Sequence, residues 1–569
     1  MIRRARARAG LALIAVSFVL AGCVSVPTSG PVRVDQPVPG AGAGVSPVVG
    51  PPEPGALPAA IVTGFLEANV SPTDNYAVAR SYLAEEVRDE WNPAAGTTIY
   101  GNDLPAFQLT SRGATVQLQA PLNGTIDASD AYQVSPPGAR LSTDFEVRRV
   151  DGEWRISGVR PGLLLTVRDI ERDYAGLDRY FLNAAGTRLV PDRVLVSARR
   201  PGVQTTLVRG LLAGPSAWLK PAVTTAFPAG TQLGIDAVPL VGSTATVDLT
   251  PQALGADDAT RRLLAAQIVW TLTSLDAVQR VRITVGGQPF PLPGVGDVVT
   301  RADFGGVDPN VLAPGTAGYA VVGQSLSVLA PGGAQPVPGA FGDGAVVTRS
   351  AVINLDSTFA AATVGVAGAT GTVFTAALRE GSSPASRART GSVGSLSYST
   401  GSELWVVDAS TGGVSVVAAA GRTRSVAVEG IGRVVVARLA RDGSRVALVV
   451  RSASGASSLL LARVVRVGPS VAFQAPRIIE NQVSGVVDVA WVDADTIAVI
   501  GQTATAPSRV FQVDVGDLGI NEFGGVRGMI RIAAAPGSPL LAEGTGGIWE
   551  NSGSGWQLVT QARSPAYPG

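Results

Sequence analysis

Apolar and polar positions change rhythm several times along this chain, and each change predicts a different kind of element. The first apolar run, Leu11 to Leu20, follows a head carrying Arg3, Arg4, Arg6 and Arg8. It is shorter than the roughly 20 residues a helix needs to span a bilayer. From Val24 to about Leu57 neither helical nor alternating spacing occurs. Pro27, Pro31, Pro37, Pro39, Pro47, Pro51 and Pro52 predict an extended spacer there, with a reach on the order of 100 Å. Ile61, Val62, Phe65 and Leu66 then recur at helical spacing, and Ser71-Pro72-Thr73-Asp74 predicts the cap of a second helix bearing Ala79, Tyr82 and Leu83. Strands follow from Ala114 to Leu118 and from Thr143 to Val150, where Phe145 and Val147 alternate. Asp151-Gly152 predicts a tight hairpin into Glu153-Trp154-Arg155-Ile156.

A second α+β pattern begins at Asp178-Arg179-Tyr180-Phe181, with a turn at Asn183 to Gly186 and then Leu189-Val190-Pro191. Val208, Leu211 and Leu212 predict a helix stopped by Gly214-Pro215. A strand from Ala245 to Leu249, a helix through Leu263, Ile268 and Leu272, and the closing Val281 to Gly287 complete it. From about Ala317 short apolar strands alternate with Gly, Ser and Asp turns. A weak repeat runs through Val352-Ile353-Asn354-Leu355, Leu396-Ser397-Tyr398, the segment from Ala437 to Gly443, Val489-Ala490-Trp491 and Ile532-Ala533-Ala534. Its period of roughly 43–50 residues is that of four-stranded propeller blades, and Gly318 to Pro338 adds part of another, about six in all.

Composition sharpens this picture. A chain of 569 residues suggests three or four domains. With 46% hydrophobic and 16% charged residues there is ample material for cores. Gly (69) and Pro (39) make the chain turn-rich, yet short of the roughly 25–30% expected of disorder. The formal net charge is +1, and the four head arginines account for more than that. No basic surface for nucleic acid is therefore expected.

The sequence contains no histidine. That removes Ser-His-Asp and Cys-His catalysis, histidine-bearing zinc sites and any imidazole base. Cys23 is the single cysteine, so no intrachain disulfide is possible. Ser216 and Lys220 stand one residue off the Ser-x-x-Lys spacing of serine acyl enzymes, with Trp218 between them. Asp493 and Asp495 suggest a carboxylate pair of the kind glycosidases use, but they flank a hairpin turn, where Asp serves the backbone. Glu85, Glu86, Asp89 and Glu90 read as a solvated helix end. No catalytic, metal or cofactor residues are expected.

Leu20-Ala21-Gly22-Cys23, behind a basic head and a short apolar run, resembles the bacterial lipobox. The resemblance implies lipid attachment at Cys23, cleavage between Gly22 and Cys23, and anchorage on the outer face of the cell membrane. The helices and curved sheet ending in Glu153 to Ile156 resemble the cone-shaped nuclear-transport-factor-like fold. Leu-x-x-Gly-Pro, Val-Asp-Leu and Gln267, Thr271, Leu272 and Thr273 resemble a GerM-type domain. The expected organisation is a signal peptide (1–22), spacer (23–57), nuclear-transport-factor-like α+β domain (58–172), GerM-type domain (173–300) and β-propeller (301–569). That order resembles the LpqB lipoprotein family. It implies a non-enzymatic accessory protein that binds the extracytoplasmic domain of the sensor histidine kinase MtrB and modulates MtrAB-type two-component signalling in cell-wall homeostasis. No residue marks the partner-binding surface. The alternative is a glycan- or lipid-binding accessory protein using the propeller face or the cone-shaped pocket.

Overall fold

The computed structural model describes residues 50–102, 106–109, 115–198, 202–330, 332–364, 371–419, 421–428, 430–553 and 555–569. The expected signal peptide, Gly22, Cys23 and most of the expected spacer lie outside them. Among the described residues no helix is long and apolar enough to cross a membrane.

Helix α1 (Pro58–Ala68) has Pro at its first turn, where the missing N–H costs nothing. It buries Ile61, Val62, Phe65 and Leu66 against a sheet of seven strands: β1 (Thr97–Tyr100), β2 (Ala106–Leu109), β3 (Thr115–Ile126), β4 (Tyr132–Val134), β5 (Arg140–Val150), β6 (Glu153–Gly158) and β7 (Leu163–Thr166). The order is β6-β5-β3-β1-β7, with β2 and β4 also on β3. Alternation sets the faces: Val116, Leu118 and Ala120 of β3 and Phe145 and Val147 of β5 are buried in one core. Phe65 meets Phe145 and Trp91 edge-on, with centroids 6.2 and 5.3 Å apart. Asp151 and Gly152 both take left-handed φ (+52° and +84°), the geometry of the predicted two-residue hairpin.

The second helix departs from expectation. Only Ala77–Ser81 is helical (α2), and it has no side-chain cap. Instead Asp74, Asn75 and Tyr76 form a left-handed run, with φ of +49°, +54° and +60°. Tyr82 and Leu83 leave the helix because their backbone joins the sheet edge: Ile156 N–H donates to the Tyr82 carbonyl (3.0 Å) and Ala84 N–H to that of Ile156 (2.8 Å). Gly64 permits this approach, since a side chain there would collide with the Tyr82 ring. The acidic stretch sits around α3 (Glu85–Arg88), and its four carboxylates are exposed, as read.

Helix α4 (Val167–Asp173), capped reciprocally by Thr166 and Asp169, leads directly into the second unit. Strands β8 (Tyr174–Asn183) and β9 (Leu189–Ser197) form a hairpin, and β10 (Val223–Thr224) adds to β8. Beyond β11 (Leu240–Val241), β12 (Thr244–Leu249) and β13 (Arg280–Val285) pair in parallel. Helices α5 (Val203–Ala213) and α6 (Asp258–Leu272) supply Val208, Leu211, Leu264, Ile268 and Leu272 to the core against them.

The remainder is a six-bladed propeller. Its innermost strands are Ala562–Ala566, Thr348–Ile353, Val393–Tyr398, Arg433–Leu439, Ser484–Trp491 and Arg531–Ala533, each touching the next around the ring. All five repeat segments of the sequence fall at the ends of innermost strands. The first blade is completed by pairing the carboxy-terminal strand Ala562–Ala566 with Tyr319–Val322, so the two ends of the domain close the ring. Outer strands of the third and fourth blades pair in parallel at Ala427–Ala472 and Val428–Phe473, fusing them into one eight-stranded sheet.

Candidate functional site

The family-like motif residues of the second unit are structural braces. Gln267 is fully buried, and its side chain accepts from Ala226 N–H (2.8 Å) and donates to the Tyr180 carbonyl (2.9 Å). Thr271 Oγ1 accepts from Tyr180 N–H (3.0 Å). Together they satisfy the middle of β8 from the side of α6, which an apolar pair could not do. Asp248 of Val-Asp-Leu accepts from Thr284 Oγ1 (2.6 Å) and Gly287 N–H (2.8 Å), fixing the closing turn.

Ser216 and Lys220 do not meet. The Ser216 hydroxyl donates to Asp192 Oδ1 (2.8 Å) and its N–H to Oδ2 (2.7 Å), while Lys220 is exposed. Sequence reasoning passed over Trp218 between them, which is the latch of the second domain on the propeller. Its indole N–H donates to the Ala475 carbonyl (2.7 Å), and the Arg477 guanidinium lies 4.0 Å from the ring centroid. Arg463 Nη1 donates to its carbonyl (2.6 Å). Burial pushes Arg477 down to about 10. Ala475 holds a left-handed φ of +47°, which turns its carbonyl out of the blade.

Asp493 does serve the turn, accepting from Asp495 N–H (3.1 Å) and Thr496 N–H (2.8 Å). What the sequence did not show is the destination of Asp495. It ion-pairs with Arg193 of β9, which also faces Asp517 (3.4 Å) and Asp178 (3.7 Å). Gly176 of β8 leaves room for Asp517. The junction thus gathers carboxylates around one guanidinium in a buried space. Asp178 Oδ1 is buried with no donor in reach. Burial and the neighbouring Asp495 push Asp178 well above the carboxylate range. The same two influences push Asp493 up to about 7. Arg193 holds Asp495 down, against its burial. A shared proton on the carboxyls is the natural state. Asn183 Nδ2 to the Asp442 carbonyl (3.0 Å) and Asn481 Nδ2 to the Ser135 carbonyl (3.1 Å) add further contacts, so the propeller is seated on both preceding domains.

At the propeller axis Arg438 Nη2 donates to both oxygens of Asp488 (3.1 and 3.2 Å) and Nη1 to the Leu396 carbonyl (2.6 Å), stitching three blades. Arg441 donates to the carbonyls of Trp491 (3.2 Å) and Ala534 (2.8 Å) and closes the hub. The cavity left there is about 100 Å³, room for a handful of waters. Among the described residues no group of three or more Asp, Glu, His or Cys is placed to hold a metal ion.

Known families divide the chain in the same sequence of units. Residues 51–171 match the model "Lipoprotein LpqB, N-terminal domain", 178–290 match "Sporulation and spore germination", and 324–568 match "Lipoprotein LpqB beta-propeller domain". The first GerMN domain of the sporulation protein GerM from Bacillus subtilis aligns at 18% identity and a TM-score of 0.20, covering 22% of this chain and 98% of that one. Lipoprotein LpqB of Streptomyces coelicolor is 30% identical over 100% of this chain and 98% of its own. That of Thermobifida fusca is 30% identical over 99% of each chain. With both lipoprotein-specific domain models and near-complete coverage of these relatives, the chain belongs to the Lipoprotein LpqB family.

Proposed function

We propose that this lipoprotein is a tethered docking platform on the outer face of the membrane. It binds the extracytoplasmic domain of an MtrB-type sensor histidine kinase, modulates its signalling and performs no turnover of its own. The observation that carries the reading is the fate of its chemically able side chains: Ser216, Asp192, Asp248 and Gln267 are spent on hydrogen bonds within the fold. Around them three domains interlock, through Trp218, Arg193 and Asn481, into a surface suited to presenting a fixed shape. Family membership and the expected anchor at Cys23 support the tether. Holding both partners on one membrane raises apparent affinity by about 10²–10⁴ without new contacts. The test compares signalling output in cells carrying the anchored protein with cells secreting it unanchored at the same abundance. The anchored form should restore signalling and the secreted form should not; full restoration by the secreted form overturns the reading.

A further inference from the structure

A cavity flanked by two domains lies away from the propeller, where the first domain faces α5. It measures about 690 Å³, within the range of small-molecule sites, which favour domain boundaries. Three features distinguish it from a packing gap. One wall carries the rings of Tyr76 and Tyr174, the first rising from the left-handed run Asp74–Tyr76. A run of three such residues costs on the order of 1–3 kcal/mol each and persists only where the surroundings impose it. The facing wall is the side of α5, where Thr206, Gly210 and Ala213 recur at helical spacing beside Arg209; Gly210 lets the Arg179 side chain pack directly on the helix, since a Cβ there would lie 2.5 Å from its Nη1. Between them sits Arg179, only 6% exposed.

Arg179 is incompletely answered. Its Nη2 donates to the Ser129 carbonyl (3.3 Å), and its Nε is buried without a partner. Asp192 Oδ2 pairs with its guanidinium at 3.8 Å, and that carboxylate also accepts twice from Ser216. Asp127 on the opposite lip spends Oδ1 on its own turn, accepting from Ser129 N–H (2.8 Å) and Ala131 N–H (3.1 Å). A guanidinium buried this far, with one hydrogen-bond acceptor and one long ion pair, has room for a further anion, and its planar fork suits a carboxylate. The walls narrow the choice. A phosphate would want converging backbone N–H groups, but α5 offers its side and not its N-terminus. An acyl chain would want a continuous apolar lining, and here Ser129, Asp127 and Thr206 interrupt it. A puckered ring with an apolar C–H face, hydroxyls and one acid group matches two tyrosine side chains, hydroxyl partners and a cation.

We propose that this cleft binds a carboxylate-bearing saccharide, with its acid group against Arg179 and its rings between the tyrosines and the small face of α5. This site is separate from the docking role and does not depend on it. Calorimetric titration of the full-length protein in detergent tests it, using the acidic disaccharide N-acetylglucosaminyl-N-acetylmuramic acid and neutral chitobiose. The acidic disaccharide should bind, with chitobiose weaker by about tenfold or more. Arg179→Gln should lose about ten- to a hundredfold in affinity for the acidic probe only. Should that variant unfold, Ala213→Trp, at an exposed position, fills the cleft and should abolish binding without moving the melting temperature. Absence of binding by the acidic probe at millimolar concentration overturns the proposal. So does equal affinity for chitobiose, or undiminished binding by Ala213→Trp.

Discussion

The acidic junction makes a prediction whose sign is unusual for aspartates. Asp493 is pushed up to about 7 from an ordinary value near 3.8, so the folded protein holds a proton that the unfolded chain releases. A raised folded pKa contributes stability that is fully present below pH ~4 and is lost as pH rises through ~7. The full shift corresponds to about 4 kcal/mol at 1.36 kcal/mol per unit. This is an upper figure, because Asp495 shifts down beside Arg193 and returns part of it. Asp493→Asn isolates the effect: the amide oxygen still accepts from Asp495 and Thr496 N–H, while the titrating proton is gone. The wild type should require less denaturant to unfold at pH ~8 than at pH ~5.5, by up to roughly 2 kcal/mol, the share of the shift that lies between pH ~5.5 and ~7. The variant should flatten that slope and be the more stable protein at pH ~8. Equilibrium denaturation followed by tryptophan fluorescence at both pH values measures this. A variant less stable than wild type at pH ~8, or an unchanged slope, refutes the shared proton.

Trp218→Ala should lose the indole hydrogen bond and its stacking with Arg477. The expected cost is about 2–4 kcal/mol, and hydrogen exchange should rise along the outer strand Ser470–Ile478 while the first domain stays protected. Gln267→Leu leaves the backbone of Tyr180 and Ala226 unanswered in the core. It should destabilise by about 2–4 kcal/mol in denaturant titrations, whereas a surface change such as Lys220→Ala should stay within ~0.5. Deleting residues 562–569 removes the strand that closes the ring and should yield a proteolytically labile propeller even at low temperature. The Cys23→Ala protein should leave the lipid-bearing membrane fraction on cell fractionation or remain uncleaved, and normal lipidation of that variant would contradict the anchor.

The architecture was legible where a local rule governs it. Helical spacing marked α1, the Asp151-Gly152 turn marked its hairpin, and the blade repeat marked the propeller because each innermost strand ends in similar small and apolar residues. The second helix was misread because Tyr82 to Ala84 bond to β6, a partner more than seventy residues away that no local pattern reports. The same limit hid the junction. Asp493 and Asp495 were correctly assigned to turn chemistry, yet Arg193, three hundred residues earlier in the chain, decides where Asp495 points. Trp218 carried a signal that was available: an aromatic residue on a short polar loop between two helix breaks, with no core periodicity to bury it. Arg179 sits inside an apolar strand, Leu177 to Leu182, where a charge needs an explanation from elsewhere in the fold.

We propose that this lipoprotein works by direct docking on a sensor kinase from an anchored platform. Photocrosslinking in living cells tests it most directly, with a photoreactive residue placed singly at exposed positions on each domain, among them Ile235, Phe359, Val467 and Leu558. A contiguous set of positions should capture the sensor's outer domain, and Cys23→Ala should abolish the capture. Capture of no sensor from any position, with the protein folded and at the membrane, would contradict it.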